Sequence, residues 1–181
     1  MELNLVDKQV VYDGKKVRLE VHHLENQDGQ RIKKELVVHP GAVVILPFID
    51  ADTIILIRNR RYTVGQVLVE LPAGTLEKGE NPMNAAGREL QEETGYLATR
   101  LKPMGTLFPS PGILTEKMFL FAAYDLEKSQ QSLEADEDIE VQFQKWDEVL
   151  QMIQFGEIQD AKTVAAVLMY DRFTRGPEKV S

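Results

Sequence analysis

The chain contains no cysteine among its 181 residues, and this absence excludes a disulfide framework and thiolate metal sites. A cysteine-free chain fits a reducing compartment, so we expect a cytoplasmic location. The sequence also lacks any apolar run approaching the roughly 20 residues that a membrane-spanning helix needs. Its first residues, MELNLVDKQVVYDGKK, lack the basic-then-apolar order of a signal peptide. We therefore do not expect a membrane to be a partner.

Basic residues are in the minority. The chain has 29 Asp and Glu against 21 Lys and Arg, which gives a formal net charge of -8 at pH 7. A protein that binds duplex nucleic acid needs a basic stripe, and none is visible, so we do not expect nucleic acid as a partner. Hydrophobic residues make up 43% of the chain and charged residues 28%, the balance of an ordinary globular domain.

Strand and helix patterns interleave irregularly along the chain, which predicts an α/β protein with a mixed sheet between helices. Turn signals at Asp13-Gly14 and Asp28-Gly29 predict antiparallel hairpins in the N-terminal strands, residues 1–40. Residues 41–175 are predicted to form one continuous globular unit, and residues 176–181 a fraying tail. The predicted strands after residue 40 are 42–48, 53–62, 66–71, 101–112, 117–126 and 139–146, and the predicted helices are 81–95, 147–155 and 160–173.

One helix has clear start and stop signals. Asn81 can cap its amino end, Pro82 suits the first helical position, and Gly95 suits a left-handed terminator. The helical period places three apolar residues on one stripe that is expected to face the core: Met83, Ala86 and Leu90.

The same helix carries an unusual concentration of acids. Glu89, Glu92 and Glu93 share one face, where like charges repel by a few tenths of a kcal/mol per pair. A divalent cation converts that repulsion into attraction, and Mg2+ and Mn2+ take oxygen ligands of this kind. Arg88 can reach Glu92 or Glu89 and so orient these carboxylates. An isolated acidic cluster is more often a solvated helix face, so the flanking residues decide the interpretation.

The flanking residues resemble the Nudix box. Gly74 is followed by five residues and Glu80, and seven more residues precede the run RELQEETGY, from Arg88 to Tyr96. Every fixed position of the family pattern matches, except that Tyr96 is aromatic where an aliphatic residue is commoner. The resemblance implies an α/β/α sandwich and a Mg2+-dependent hydrolase, with Mn2+ also possible, of a nucleoside diphosphate linked to another group.

Three further segments resemble the ADP-ribose and nucleoside diphosphate sugar pyrophosphatases of that family. They are the ELPAG entry to the box (70–74), the Arg58–Tyr62 segment with Arg61 at its arginine position, and Ser110-Pro111-Gly112 followed by Glu116. The resemblance implies cleavage of ADP-ribose or another nucleoside diphosphate sugar into a nucleoside monophosphate and a sugar phosphate. The alternative is a non-catalytic Nudix domain that binds such a ligand and regulates another process.

The resemblance also assigns the catalytic machinery. It implies metal ligation by Glu89, Glu93, the Ala73 carbonyl and, directly or indirectly, Glu92, while Glu80 ties the loop to Arg88. A general base should lie outside the helix, within reach of the attacking water. The acidic segment 134–140 is the candidate, with Glu137 favoured and Glu140 second, and the alternative is a solvated acidic turn.

Substrate contacts are predicted with open alternatives. Arg61 pairs with a phosphate or is a surface cation, and Glu70 binds a ribose or base edge or is a paired strand residue. The resemblance places Lys34 and Glu35 near the nucleotide, and Pro111 and Gly112 in the downstream substrate loop.

The resemblance leaves the base specificity open. Lys15 and Lys16 stand where some relatives have an aromatic residue that sandwiches adenine, which leaves room for GDP-sugars. The N-terminal hairpins resemble a segment that relatives exchange between subunits, so we expect a homodimer whose pocket takes residues from both chains.

Overall fold

A computed structural model describes residues 2–14, 17–135 and 137–175. The predicted tail, Lys15, Lys16 and Asp136 lie outside the described residues. The strands are β1 Leu3–Asp13, β2 Arg18–Asn26, β3 Arg31–Val38, β4 Ala42–Pro47, β5 Thr53–Arg61, β6 Gln66–Glu70, β7 Ala73–Thr75, β8 Tyr96–Leu107, β9 Met118–Lys128 and β10 Ile139–Lys145. The α-helices are α1 Pro82–Thr94, α2 Trp146–Gln154 and α3 Ala161–Tyr170, and a π-helical turn follows at Asp171–Arg175.

The chain divides into two compact units, of which the first contains the described residues up to Gly41 together with Phe108–Lys117. Strands β1, β2 and β3 form an antiparallel three-stranded sheet in that order, as the hairpin signals predict. The sequence assigns Phe108–Lys117 to the larger unit, but this segment clusters with the N-terminal strands. The Val37 N–H donates to the Ile113 carbonyl at 2.8 Å, and the Thr115 N–H donates to the Val37 carbonyl at 3.0 Å.

The second unit contains Ala42–Leu107 and the described residues from Met118 onward. One sheet has the order β7-β4-β9-β8, in which β4 and β9 are parallel and the other pairs are antiparallel. A second sheet, β10-β5-β6, is antiparallel throughout. The mixed α/β architecture predicted from the sequence is confirmed.

Strand β4 is buried on both faces, which explains its continuous apolar sequence. Because successive side chains alternate across a strand, Val44 and Leu46 belong to one core cluster and Val43 and Ile45 to another. The first cluster includes residues of α2 and α3, and the second includes residues of α1. Helices on both faces of one central strand therefore produce the layered sandwich.

The ends of α1 follow the sequence signals. The Asn81 side chain accepts the Met83 N–H at 2.9 Å, and Gly95 ends the helix with φ of 73°. Ala86 and Leu90 are fully buried as expected, but the prediction for Met83 is wrong, because its side chain is 43% exposed. Met83 lies in the first turn, and Ala85 contributes to the core beside Ala86 instead.

None of the helices among the described residues is both long enough and apolar enough to span a membrane.

Candidate active site

Arg88 organises the carboxylates of the box. Its Nε and Nη2 donate to the two oxygens of Glu80 at 3.0 and 3.1 Å, and its Nη1 lies 2.8 Å from an oxygen of both Glu89 and Glu92. These contacts, the bidentate Glu80 pair first, raise the pKa of Arg88 above its ordinary value. The predicted contacts of Arg88 are therefore present, and Glu80 joins the entry loop to the helix.

Glu93 is held against the strand that precedes the box. Its Oε2 accepts the Ala73 N–H at 2.8 Å, and the residue is 3% exposed. Burial, together with the nearby carboxylates of Glu89 and Glu137, raises the pKa of Glu93 to about 8, although the Ala73 hydrogen bond opposes the shift. This carboxylate lies in a place where a cation would stabilise its charged form.

Glu89 lies in a cradle formed by the glycine at the start of the box. A Cβ added to Gly74 would fall 1.9 Å from the Glu89 Cδ atom, so only glycine leaves room for this carboxylate. Burial raises the pKa of Glu89 to about 7, although the charge of Arg88 opposes the shift. Position 74 is therefore a glycine because the Glu89 carboxylate occupies the space that a side chain there would need.

The two candidates for the general base differ in their surroundings. The negative charge of Glu137 contributes to the raised pKa values of both Glu89 and Glu93, so it lies within electrostatic reach of them. Its Oε2 accepts the Glu134 N–H at 2.8 Å. The Glu140 side chain is 79% exposed and lies 3.7 Å from Arg58. The base assignment stays a prediction, and the electrostatic influence of Glu137 on Glu89 and Glu93 supports Glu137 as the first candidate.

The donor set of the box suits a hard divalent cation. Glu89 and Glu93 are mostly buried carboxylates on one helix face, and the Glu92 side chain, 39% exposed, lies beside them. Within the described residues, no three carboxylate or imidazole groups converge as a ready ligand cluster. Arg88 Nη1 contacts both Glu89 and Glu92 at 2.8 Å. The chemistry of the residues therefore fits a metal, and the ligand set remains a prediction.

A second polar network lies on the strands that lead to the box. Arg61 donates through Nε and Nη2 to Glu70 at 2.8 and 2.6 Å, and Lys162 also donates to Glu70. Burial raises the pKa of Glu70, but the Arg61 and Lys162 contacts outweigh it and hold the pKa below its ordinary value. Of the two alternatives for Glu70, the structure shows the paired strand residue, and any contact with substrate stays a prediction.

The remaining predicted substrate residues lie in the first unit. Lys34 and Glu35 are on β3, where Lys33 pairs with Glu35 at 3.0 Å. Pro111 and Gly112 lie in the segment that pairs with Val37. Their roles stay predictions.

Sequence reasoning missed Lys162 and its neighbours. Asp160 caps α3 by accepting the Thr163 N–H at 3.0 Å, and its Oδ1 lies 2.9 Å from Lys162 Nζ. Thr163 in turn accepts the Leu71 N–H at 2.8 Å through Oγ1. Asp160 is a residue type that caps helices, so the sequence could have indicated the start of α3. The hydrogen bond between Thr163 and Leu71 of the ELPAG segment joins residues about ninety positions apart, and no local sequence pattern indicates it.

Two cavities of the second unit lie apart from the acidic face of α1. One, of about 330 Å3, is lined by residues that include Phe48, Arg100, Tyr124 and Tyr170, and the other, of about 310 Å3, includes Met83. Neither is lined by a glutamate of the box. The chemistry described above is therefore not located in either cavity.

The mixed sheet is covered by helices on both faces, which defines an α/β/α protein. Helix α1, which follows the loop that begins at Gly74, carries the carboxylates of a site suited to a divalent cation. The family model described as NUDIX domain matches residues 38–167. The chain therefore belongs to the Nudix family.

Curated relatives extend this similarity over most of the chain. An ADP-ribose pyrophosphatase of Bacillus subtilis (strain 168) is 37% identical over 169 residues, 92% of this chain and 91% of that protein. A methanol dehydrogenase activator of Bacillus methanolicus is 36% identical over 168 residues, with the same coverage of both chains. A GDP-mannose pyrophosphatase of Escherichia coli O1:K1 / APEC is 34% identical over 157 residues, 79% of this chain and 81% of that protein. With the family match, the two relatives named as pyrophosphatases confirm the prediction of a Nudix pyrophosphatase.

A solved structure supports the fold. The crystal structure of an ADP compounds hydrolase superposes with a TM-score of 0.86, covering 99% of this chain and 98% of that chain. Its sequence identity is 24%, so this likeness concerns the fold alone.

Proposed function

We propose that this chain hydrolyses the pyrophosphate bond of ADP-ribose or another nucleoside diphosphate sugar, giving a nucleoside monophosphate and a sugar phosphate. The observation that carries the proposal is the pair of mostly buried carboxylates, Glu89 and Glu93, beside the backbone of Gly74 and Ala73. Two relatives named as pyrophosphatases, one of ADP-ribose and one of GDP-mannose, support this substrate class.

Mg2+, with Mn2+ as the second choice, would be held by Glu89, Glu93, Glu92 and the Ala73 carbonyl. Bound there, it supplies charge neutralisation for the diphosphate and lowers the pKa of bound water. Arg88 keeps Glu80, Glu89 and Glu92 oriented through the contacts described above.

The remaining roles belong to the chain's own side chains. Glu137 accepts the proton of the attacking water, and Glu140 is the second candidate for this role. Arg61 meets a phosphate of the substrate with its planar guanidinium. Lys34, Glu35, Pro111 and Gly112 contribute to the binding of the nucleotide and the sugar.

A substrate panel tests the proposal. Purified protein is incubated with ADP-ribose, GDP-mannose, ADP-glucose or dATP, with Mg2+, with Mn2+ or with a chelator. Nucleoside monophosphate and sugar phosphate are separated chromatographically, and kcat/KM is measured for each substrate. We expect turnover of at least one nucleotide sugar that stops with the chelator. Turnover of dATP alone would exclude the nucleotide-sugar assignment.

A regulatory role is the second candidate, because one relative of similar identity is named as an activator of methanol dehydrogenase. A regulatory domain binds its ligand without consuming it. Calorimetric binding of ADP-ribose with no product formed under any metal condition would favour this candidate over catalysis.

The proposal includes a homodimer. Every residue of the edge strand β1 is exposed, including apolar side chains with exposures of 53% at Leu5, 55% at Val6 and 61% at Tyr12. An edge strand of this length and apolarity is a template for pairing with another chain. Sedimentation equilibrium should give twice the 20.5 kDa mass of the chain, and Val6→Lys should shift the equilibrium towards the monomer. The cytoplasmic location stays a prediction of the sequence.

A further inference from the structure

Lys162 is a nearly buried cation that lies outside the Nudix box. Its side chain is 12% exposed, and its Nζ donates to Oε2 of Glu70, which is 1% exposed. The same Glu70 oxygen accepts a hydrogen bond from Arg61 Nη2. One buried carboxylate is therefore shared between two cations that come from distant parts of the sequence.

The Arg61–Glu70 pair has a defined orientation. The bidentate contact uses Nε and Nη2 of Arg61, so the planar fork leaves Nη1 on the edge that faces away from Glu70. The Arg61 side chain is 39% exposed, in contrast to Glu70. The charge of Arg61 also acts on the buried Glu93 of the box helix. Arg61 is thus held at one edge and available to an anion at the other.

Lys162 is held in place by the start of α3. Asp160 caps this helix through Oδ2 and contacts Lys162 Nζ through Oδ1 at 2.9 Å. Thr163 accepts the Leu71 N–H, which fixes the helix end beside the residue that follows Glu70. The position of Lys162 is therefore set by hydrogen bonds that do not involve Arg61.

We propose that Lys162 is a positioning residue, which shares Glu70 with Arg61 so that the guanidinium keeps a net attraction for the diphosphate of the substrate. This inference rests on the proposed function. If Lys162 is absent, Glu70 has Arg61 as its only described cationic partner, and the Arg61 charge is neutralised more fully. Glu70 itself is assigned a positioning role, because it holds the Arg61 guanidinium in place through the bidentate contact.

The expected consequence is weaker binding with unchanged chemistry, because neither Lys162 nor Glu70 is among the predicted metal ligands or bases. For Lys162→Met, we expect KM and Kd to rise about tenfold, the size of one weakened charge-assisted contact, with kcat within about twofold. Lys162→Arg retains the charge and should recover most of the affinity.

A double-mutant cycle tests this role. Wild type, Lys162→Met, Arg61→Met and the double variant are compared by KM and kcat on the best substrate of the panel. Their Kd for a methylene-bridged ADP-ribose analogue is measured by calorimetry with Mg2+. Lys102→Met, which changes an exposed lysine of β8, is the control. If Lys162 acts through Arg61, the Lys162→Met effect disappears in the Arg61→Met background.

Other outcomes overturn the proposal. These are additive effects in the double variant, a Lys162→Met protein that behaves like Lys102→Met, or a loss confined to kcat. If Lys162→Met unfolds at the assay temperature, Lys162→Gln and Lys162→Arg are compared instead, and equal Kd values overturn the proposal. If the Kd values show coupling between Lys162 and Arg61 but the wild-type protein hydrolyses no substrate, the positioning role is supported and the proposed catalysis is rejected. If the wild-type protein does not bind the analogue, both proposals are rejected.

Discussion

The Glu89 carboxylate lies directly against the backbone of Gly74, where a methyl group would fall 1.9 Å from the Glu89 Cδ atom. This contact joins the first residue of the box to one of its predicted metal ligands. Because the obstructing atoms belong to a predicted metal ligand, we expect a side chain at position 74 to affect activity through Glu89.

Gly74→Ala should therefore lower kcat by about 100-fold, the effect of displacing a catalytic group by about 1 Å. Gly87→Ala is the matched control, because its Cβ would meet only Leu101 at 3.9 Å. Alanine at this helical position should raise stability by about 1 kcal/mol and preserve activity. Steady-state kinetics and thermal unfolding of both variants check the prediction, and equal activities would contradict it.

Glu93→Gln should lower turnover by orders of magnitude and leave the protein folded, because an amide retains the acceptor for the Ala73 N–H but not the charge. The measurement is kcat with saturating Mg2+, together with circular dichroism and the melting temperature. Glu127→Gln, on the exposed part of β9, is the control and should be fully active. A Glu93→Gln protein that fails to fold would indicate a structural role for this acid.

The metal-free protein should lose stability as the pH rises from about 5 to about 8.5. Burial raises the folded-state pKa values of Glu89 to about 7 and of Glu93 to about 8, above the ordinary value of 4.5. The folded state therefore binds more protons than the unfolded state in this range, and the stabilisation present below pH 4.5 disappears as the pH passes these values.

Thermal unfolding in a chelator should show a melting temperature that falls by the order of 5 °C across that range. Added Mg2+ should reverse the fall, because it stabilises the ionised carboxylates. The Glu93→Gln variant should show a smaller fall, which separates this effect from general charge repulsion. An identical pH profile for the variant would mean that Glu93 does not titrate in this range.

Glu137→Gln should lower kcat by about 100-fold or more, the usual contribution of a general base, while Glu140→Gln has little effect. The reason is that Glu137 acts electrostatically on Glu89 and Glu93, whereas the Glu140 side chain is 79% exposed beside Arg58. The pH dependence of kcat should lose its acidic limb only in Glu137→Gln. The reverse ranking would assign the base to Glu140.

Much of the fold was readable from local sequence. The hairpin turns, the apolar run of β4 and the boundaries of α1 all depend on residues within a few positions of one another. The short strand β7 was not predicted, and the strand predicted at 101–112 is β8, which runs from Tyr96, directly after α1, to Leu107. The last predicted helix, 160–173, ends as an α-helix at Tyr170. A three-residue strand has too little sequence to show a period, and it forms because Ala73 and its neighbours pair with β4.

The candidate site was only partly readable. The spacing of the box located Arg88 and its carboxylates, because their contacts lie within one helix and its entry loop. The cradle at Gly74 and the contact of Ala73 with Glu93 require the loop to fold back on the helix, and the sequence pattern indicates them only through the family resemblance.

The sequence by itself determined the capped acidic helix, the alternation of the buried strand and membership of the Nudix family, because these depend on local spacing. Tertiary structure alone decided the environment of each charge. It brings Lys162 into contact with Glu70, which lies 92 positions earlier in the sequence. It also buries Glu93 to 3% exposure, which raises the pKa of that carboxylate. Burial and long-range pairing arise from the packing of the whole unit, and packing sets both the pKa of a carboxylate and the partner that an arginine keeps.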